Sequence, residues 1–126
     1  MTKPTLTIRA VQMEALNGPR LQAVEDRLFQ RVTTKFPATA GALGDAQTRQ
    51  LIRRGMGKAR RLRLGLEPHV AALVDLVFEF GLDFDTTGPL SWAHAILTER
   101  GLDAGARIGL VIARLEAFEA AGMRPA

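Results

Sequence analysis

The segment PHVAALVDLVFEFG, residues 68–81, is the longest nearly unbroken apolar run of the chain. Pro68 favours the first turn of a helix, and Gly81 favours its C-terminal cap. On a helical wheel the apolar side chains cover most of the circumference, and only Asp75 and Glu79 form a polar stripe. With about 13 residues, the segment is shorter than the roughly 20 that a membrane-spanning helix needs. We therefore predict a central helix that is buried by neighbours on several sides.

The rest of the chain also has helical periodicity. Apolar residues recur every three or four positions, and proline, glycine or a capping residue punctuates each segment. A small-residue connection with room for one turn of helix is expected at residues 38–44. Gly65 is expected to end the helix before it, and Ser91 and Asp103 are expected to cap the last two helices. The predicted helices cover residues 8–16, 19–35, 46–64, 68–80, 92–100 and 104–121.

Length and composition are typical of one folded domain. The chain has 126 residues, of which 47% are hydrophobic and 24% charged, enough for a real core and not for two. No alternating strand pattern competes with the helices, apart from a short stretch near the start. We predict an all-α, single-domain bundle of five to six helices over residues 1–126. The N-terminus has no apolar export signal, which predicts a cytoplasmic protein.

The charge is distributed unevenly. Residues 1–63 carry 13 Lys and Arg against 4 Asp and Glu, a net +9, whereas residues 64–126 carry 4 against 9, a net −5. Because both halves fold into one domain, part of this charge is expected to pair internally. The basic charge that stays unpaired is a candidate binding surface.

Basic residues are densest between residues 49 and 63, where seven occur without an acid. Gly55 lies on the apolar side of this predicted helix, where a missing side chain allows a close helix crossing. We predict that the basic side engages an acidic surface of a protein partner, because like charge accumulates there without internal compensation. Trp92 is a further candidate anchor, with a core position as its alternative. The predicted partner-binding residues are Arg49, Arg53, Arg54, Lys58, Arg60, Arg61 and Trp92.

Two alternatives for the basic side stay open. It can be a solvated helix face partly paired with the carboxylates Asp75, Glu79, Asp83 and Asp85. It can also bind nucleic acid or another anionic surface, since an arginine-rich stripe is the electrostatic signature of phosphate contact. The lack of interleaved aromatic residues and the two helix-weakening glycines disfavour this second alternative.

No catalytic, cofactor or metal site is predicted. Without cysteine, thiol catalysis and zinc-thiolate sites are excluded. Ser91 and His94 lie three residues apart, but no nucleophile elbow surrounds Ser91 and no third group is evident to orient His94. Residues 83–94 resemble the spacing of a calcium loop, yet position 12 is His94 instead of the bidentate glutamate. We therefore predict a protein that is not an enzyme.

One stretch carries a family resemblance. LIRRGMGKARRLRLGLEPHVAALVDLVFEFGLDFD followed by PLSWAHAIL, within residues 51–97, resembles small helical bacterial proteins encoded with type VI secretion effectors. The matching positions include Arg53-Arg54-Gly55, the buried helix with Asp75, and Trp92, whereas the proline expected directly before Trp92 stands at Pro89. The resemblance implies an accessory that binds a secreted effector as an adaptor, chaperone or immunity partner.

Overall fold

The computed structural model describes residues 19–122, and this part of the chain is helical with no strand. A turn of 3-10 helix, Gly88–Leu90, precedes the fourth of its five α-helices. The all-α prediction is therefore confirmed for these residues, while the helix predicted at residues 8–16 lies outside them. The helices are α1 (Pro19–Lys35), α2 (Pro37–Arg61), α3 (Glu67–Phe80), α4 (Trp92–Leu97) and α5 (Ala104–Ala120).

Helix α3 is the buried central helix that its sequence predicts. It packs against α1, α2 and α5, and its residues from Leu73 to Phe78 are all buried. Two apolar clusters share it. Leu28 and Ile52 belong to the cluster formed with α1 and α2, and Leu97 and Val111 belong to the one formed with α4 and α5. Burial on two sides explains why the polar stripe of this helix is so narrow.

The junction between α1 and α2 differs from the prediction. Residues 38–44, expected to be a connection, form the first turns of α2, and only Phe36 separates the two helices. Pro37 suits a first helical position, and the alanines that follow are strong helix formers. The helix then kinks at Gly44, whose φ of 81° favours glycine. The hydroxyl of Thr48 donates to the carbonyl of Ala40 across the kink at 3.3 Å.

Helix α2 ends at Arg61, earlier than the Gly65 stop that the sequence predicts. Arg63 has a left-handed backbone with φ of 59°, and the Leu64 N–H donates to the Ala59 carbonyl at 2.8 Å. This is the bond of a Schellman-type helix end, formed here around an arginine instead of a glycine. Leu62 and Leu64 are both buried, so their packing decides where the chain turns.

Arg107 of α5 joins three chain segments from inside the protein. It is 5% exposed, and its Nη1 donates to the carbonyls of Leu62 and Leu97 at 2.6 and 2.7 Å. Its other donors reach the carbonyls of Leu102 and Arg63 at 3.2 and 3.4 Å. Leu62 follows α2 and Leu97 ends α4. The guanidinium therefore lies at two helix C-termini, where backbone carbonyls have no partner within their own helix.

Of the two helix caps predicted near the C-terminus, one is confirmed and the other is wrong. Asp103 caps α5 as expected, because its carboxylate accepts a hydrogen bond from the Ala106 N–H at 2.8 Å. Ser91 precedes α4 but makes no capping hydrogen bond, so that expectation is wrong. Helix α4 also ends at Leu97 and not at Arg100. The Leu97 carbonyl is taken by Arg107, and the Thr98 hydroxyl donates to the carbonyl of His94 at 2.7 Å.

Candidate partner-binding surface

The basic residues of α2 fall into separate stripes. Arg53 and Arg60 are seven residues apart, close to two full turns, and therefore share one side of the helix. Arg54 and Arg61 are related in the same way and form a second stripe about 100° away. All four residues are exposed. The predicted basic face therefore exists as two neighbouring stripes on the outside of α2.

Arg49 and Arg53 are paired within the molecule. Arg49 Nη1 lies 2.7 Å from Glu25 Oε2 and 2.8 Å from Asp26 Oδ1, and Arg53 Nε lies 2.7 Å from Glu25 Oε1. Arg49 also lies over the ring of Phe29. The expectation that these two arginines lack internal compensation is therefore wrong. Their acids come from α1, within the basic half of the chain, and not from the acidic half.

Glu25 is the centre of this pairing. Its side chain is 5% exposed, and it accepts hydrogen bonds from both arginines. Hydrogen bonding to Arg53 lowers the pKa of Glu25 below its ordinary 4.5, although burial opposes the shift, and Arg49 adds to it. The carboxylate is thus held ionised, and it binds α1 to α2.

Lys58 does not belong to the exposed face. It is 8% exposed, and its Nζ lies 2.5 Å from Oδ1 of Asp85, which is itself 1% exposed. The prediction of an uncompensated Lys58 is wrong, because this side of α2 packs on the rest of the domain. The alternative prediction that named Asp85 as a partner of the basic helix is correct for this pair.

Asp85 also orients His94, for which the sequence offered no partner. Asp85 Oδ2 lies 3.0 Å from His94 Nδ1, and the His94 side chain is 51% exposed. Burial raises the pKa of Asp85, but hydrogen bonds from Lys58 and His94 outweigh it and lower the pKa below 3.8. The nine-residue separation in the loop gave no periodic signal for this contact. The Asp85 carboxylate, within the segment compared with a calcium loop, is thus already engaged by Lys58 and His94.

Asp75 pairs with α1 instead of the arginine-rich helix. Arg31 Nη2 and Lys35 Nζ lie 2.7 and 2.6 Å from its Oδ2. Burial opposes ionisation of Asp75, yet these two cations lower its pKa below 3.8. Because Asp75 is paired with residues of α1, it does not serve as a counter-charge for α2. The pairing of Asp75 with the 49–63 segment is therefore not found.

Three basic residues of α2 remain exposed without a partner in the described part of the chain. Arg54, Arg60 and Arg61 make no ion pair or side-chain hydrogen bond to any residue between positions 20 and 122. They are what is left of the predicted face after internal pairing. We refer to Arg54, Arg60 and Arg61 as the free arginines.

Trp92 lies on a different part of the fold. The ring is half-buried and makes an edge contact with Phe118, with centroids 6.0 Å apart. The guanidinium of Arg114 lies 4.5 Å from the Trp92 centroid. Both partners belong to α5, so the ring contacts of Trp92 are with that helix and not with the free arginines.

A groove of about 730 Å³ lies beside Arg60, one of the free arginines. Its walls come from the start of α1, the second half of α2 and the start of α3. Arg53 and Arg60 stand at its edge, together with Glu25 and Glu67. Both acids are paired, Glu25 as described and Glu67 with Arg27 at 2.7 Å. The apolar lining consists of Leu21, Val24, Met56, Leu64 and Val70.

Other site types have little basis in the described part of the chain. Within residues 19–122, no three His, Asp or Glu side chains lie close enough to hold a metal ion, and no helix has the length and apolarity of a membrane span. Comparisons with protein-family models, with curated proteins and with solved structures gave no significant match.

Proposed function

We propose that this protein is a non-enzymatic accessory that binds an acidic surface of a protein partner through the outer side of α2. The supporting observation is that the basic residues of α2 differ in whether they have an acidic partner. Arg49, Arg53 and Lys58 are engaged with acids of the same chain, whereas the free arginines have no such acid among the described residues.

An exposed arginine without an internal partner suits protein recognition. Its planar guanidinium donates to carboxylates in a bidentate manner, and arginine is enriched in interfaces and their hot spots. Charge of one sign also accelerates encounter with an oppositely charged partner. The paired arginines beside the free ones hold α2 on α1, so the surface is presented on a fixed helix.

The biological class of the partner rests on the resemblance of residues 51–97. On that basis the partner is a secreted bacterial effector or a secretion component, and the protein acts on it in the cytoplasm as an adaptor, chaperone or immunity partner. This assignment is tested by capture from the native host with the tagged full chain, followed by titration of the purified partner.

Charge reversal tests the basic surface. Arg54→Glu and Arg61→Glu, combined, are expected to weaken binding of the purified partner at least tenfold, or about 1.4 kcal/mol. Thermal stability should stay within about 0.5 kcal/mol of the unsubstituted protein, because neither side chain makes an ion pair or a side-chain hydrogen bond with the described residues. Calorimetric titration measures the first effect and thermal unfolding the second.

Arg100→Glu is the matched control, because Arg100 is exposed in the loop after α4. It reverses one charge away from α2, half the charge change of the double variant, and should leave binding within about twofold of the unsubstituted value. Equal binding by the α2 double variant and the control would remove the basic surface from the proposal.

Nucleic-acid binding is the competing function of the same arginines. Phosphate contacts release counterions, so the affinity for duplex or single-stranded DNA would fall steeply with salt. A titration over a range of salt concentrations with both probes decides between the two. One outcome favours nucleic acid over a protein partner: either DNA probe binds tightly, its affinity falls steeply with salt, and the binding is lost in the Arg54→Glu, Arg61→Glu variant.

A further inference from the structure

The groove beside Arg60 is long enough to take two turns of a peptide helix. Along α2 its lining runs from Arg53 to Arg60, a distance of about 10 Å or two helical turns. The apolar lining is aliphatic and includes Met56, a side chain that adapts to different partners. Leu66, next in sequence to the lining residues Gly65 and Glu67, is 64% exposed. Amphipathic helices bind such grooves through anchors spaced by one or two turns.

The charge at the groove determines which charged residues suit the flanks of such a helix. Glu25 and Glu67 are each held by arginine, so they do not attract a basic segment. Arg60 has no partner within the described chain and stands at the edge of the groove. Arg61 follows it, and Arg54 lies on the neighbouring stripe. The uncompensated charge is therefore positive, which fits an occupant with acidic residues beside its apolar anchors.

Gly57 supports a binding role for the groove. It lies inside α2, where glycine is unfavourable compared with almost every other residue. Among the described residues, a Cβ atom at this position would meet only the Arg61 Nη1 atom, at 3.8 Å, so their packing does not require glycine there. This differs from Gly55, whose Cβ would lie 3.1 Å from Val74. What the missing side chain of Gly57 does provide is space in the groove that it lines.

We infer that this groove binds an amphipathic helical segment with acidic flanks, contributed by the protein partner. The segment places aliphatic side chains on Val24, Met56 and Val70 and carboxylates toward Arg60. The inference rests on the proposed function, because it specifies which part of an acidic partner the α2 surface holds.

The probe is a labelled designed peptide with leucines at helical spacing and glutamates on both flanks. Added to the full chain, it is expected to bind saturably and to shift backbone NMR signals mainly at the groove residues. Gly57→Leu should weaken this binding at least tenfold, because the new side chain fills the groove. The variant should melt no lower than the unsubstituted protein, since leucine has the higher helix propensity.

Two further comparisons separate shape from charge. A peptide with glutamine in place of each glutamate should bind more weakly, and Arg60→Gln should weaken the glutamate peptide roughly threefold or more without affecting the glutamine peptide. A scrambled peptide of the same composition should not bind. No saturable binding, equal binding of the scrambled or glutamine peptide, or signals outside the groove would each overturn the inference.

The same variants distinguish this inference from the proposed function when the purified partner is used. If Arg54→Glu with Arg61→Glu weakens partner binding and Gly57→Leu does not, the basic surface is retained and the groove is rejected. If only Gly57→Leu weakens it, the groove is retained and the two arginines are rejected. If neither does, both proposals fail.

Discussion

At the residue scale, Arg107 shows how one side chain can close a small helical domain. Its guanidinium is buried among backbone carbonyls of Leu62, Arg63, Leu97 and Leu102, and no carboxylate is among these partners. A buried charge is normally costly unless hydrogen bonds satisfy it. Here the carbonyls at two helix C-termini supply both the acceptors and a favourable dipole.

Removal of this guanidinium is expected to be among the most destabilising single changes in the domain. Arg107→Met keeps much of the volume but leaves several carbonyls without a donor, so we expect a loss of about 3 kcal/mol in the free energy of unfolding. Arg107→Lys should recover part of the loss, because an ammonium reaches fewer of the carbonyls. Urea unfolding followed by circular dichroism measures both.

Arg100→Met provides the control for this change, because Arg100 is exposed and has no ion pair among the described residues. It should change the free energy of unfolding by no more than about 0.5 kcal/mol. If Arg107→Met were as mild as the control, the buried guanidinium would have no role in holding the helix ends.

At the scale of one element, α2 is where sequence patterns predicted the structure best and worst. The periodicity of its apolar side and the close crossing at Gly55 followed from spacing alone. The crossing is confirmed, because a Cβ atom on Gly55 would lie only 3.1 Å from the Val74 side chain. Its ends did not follow. The helix starts at Pro37 because the alanines that follow favour a helix, and the chain turns at Arg63 because Leu64 is buried. Only the first of these causes can be read from the local sequence.

The glycines of α2 give a matched pair of substitutions. Gly57→Ala is expected to stabilise the protein by about 0.5 to 1 kcal/mol, since its methyl group meets no close neighbour among residues 19–122 and alanine favours the helix. Gly55→Ala gains the same propensity but forces a methyl group against fully buried Val74. Overpacking of this kind typically costs about 1 to 3 kcal/mol, so we expect net destabilisation.

A double-mutant cycle checks the cause. Combined with Val74→Ala, Gly55→Ala should lose its overpacking penalty, so that the two changes together destabilise the protein by at least about 1 kcal/mol less than their sum. Additive effects in chemical denaturation would mean that the two helices separate freely and that Gly55 is not needed for the crossing.

At the scale of the whole molecule, the sequence predicted charge complementarity between its halves but not the pairs that make it. Arg31 and Lys35 with Asp75, and Lys58 with Asp85, do join the basic and acidic halves. Pairing within the basic half, through Glu25, was not foreseen. Helical periodicity shows which side of a helix is polar, whereas the partner of each charge depends on how helices are placed in space.

These pairs make the stability of the whole domain depend on pH. The pKa values of Glu25, Asp75 and Asp85 all lie below their ordinary values in the folded protein. Their contribution to stability is therefore fully present above the ordinary carboxylate range and is lost as pH falls through the lowered folded pKa values. We expect the free energy of unfolding to decrease steadily below about pH 4.5.

Asp85 offers the sharpest test of this dependence, because its neighbour Asp83 supplies a control two residues away. Asp85→Asn leaves the ammonium of Lys58 buried without a counter-charge, and we expect it to cost about 3 kcal/mol at neutral pH. Asp83 is exposed, and Asp83→Asn makes the same charge change with an expected effect below about 0.5 kcal/mol.

The stability of the Asp85→Asn variant should also decline less steeply in acid, since one carboxylate with a lowered pKa is gone. Urea unfolding of both variants between neutral pH and pH 3 measures the two effects, and identical acid profiles of the two variants would show that Asp85 does not contribute to the pH dependence.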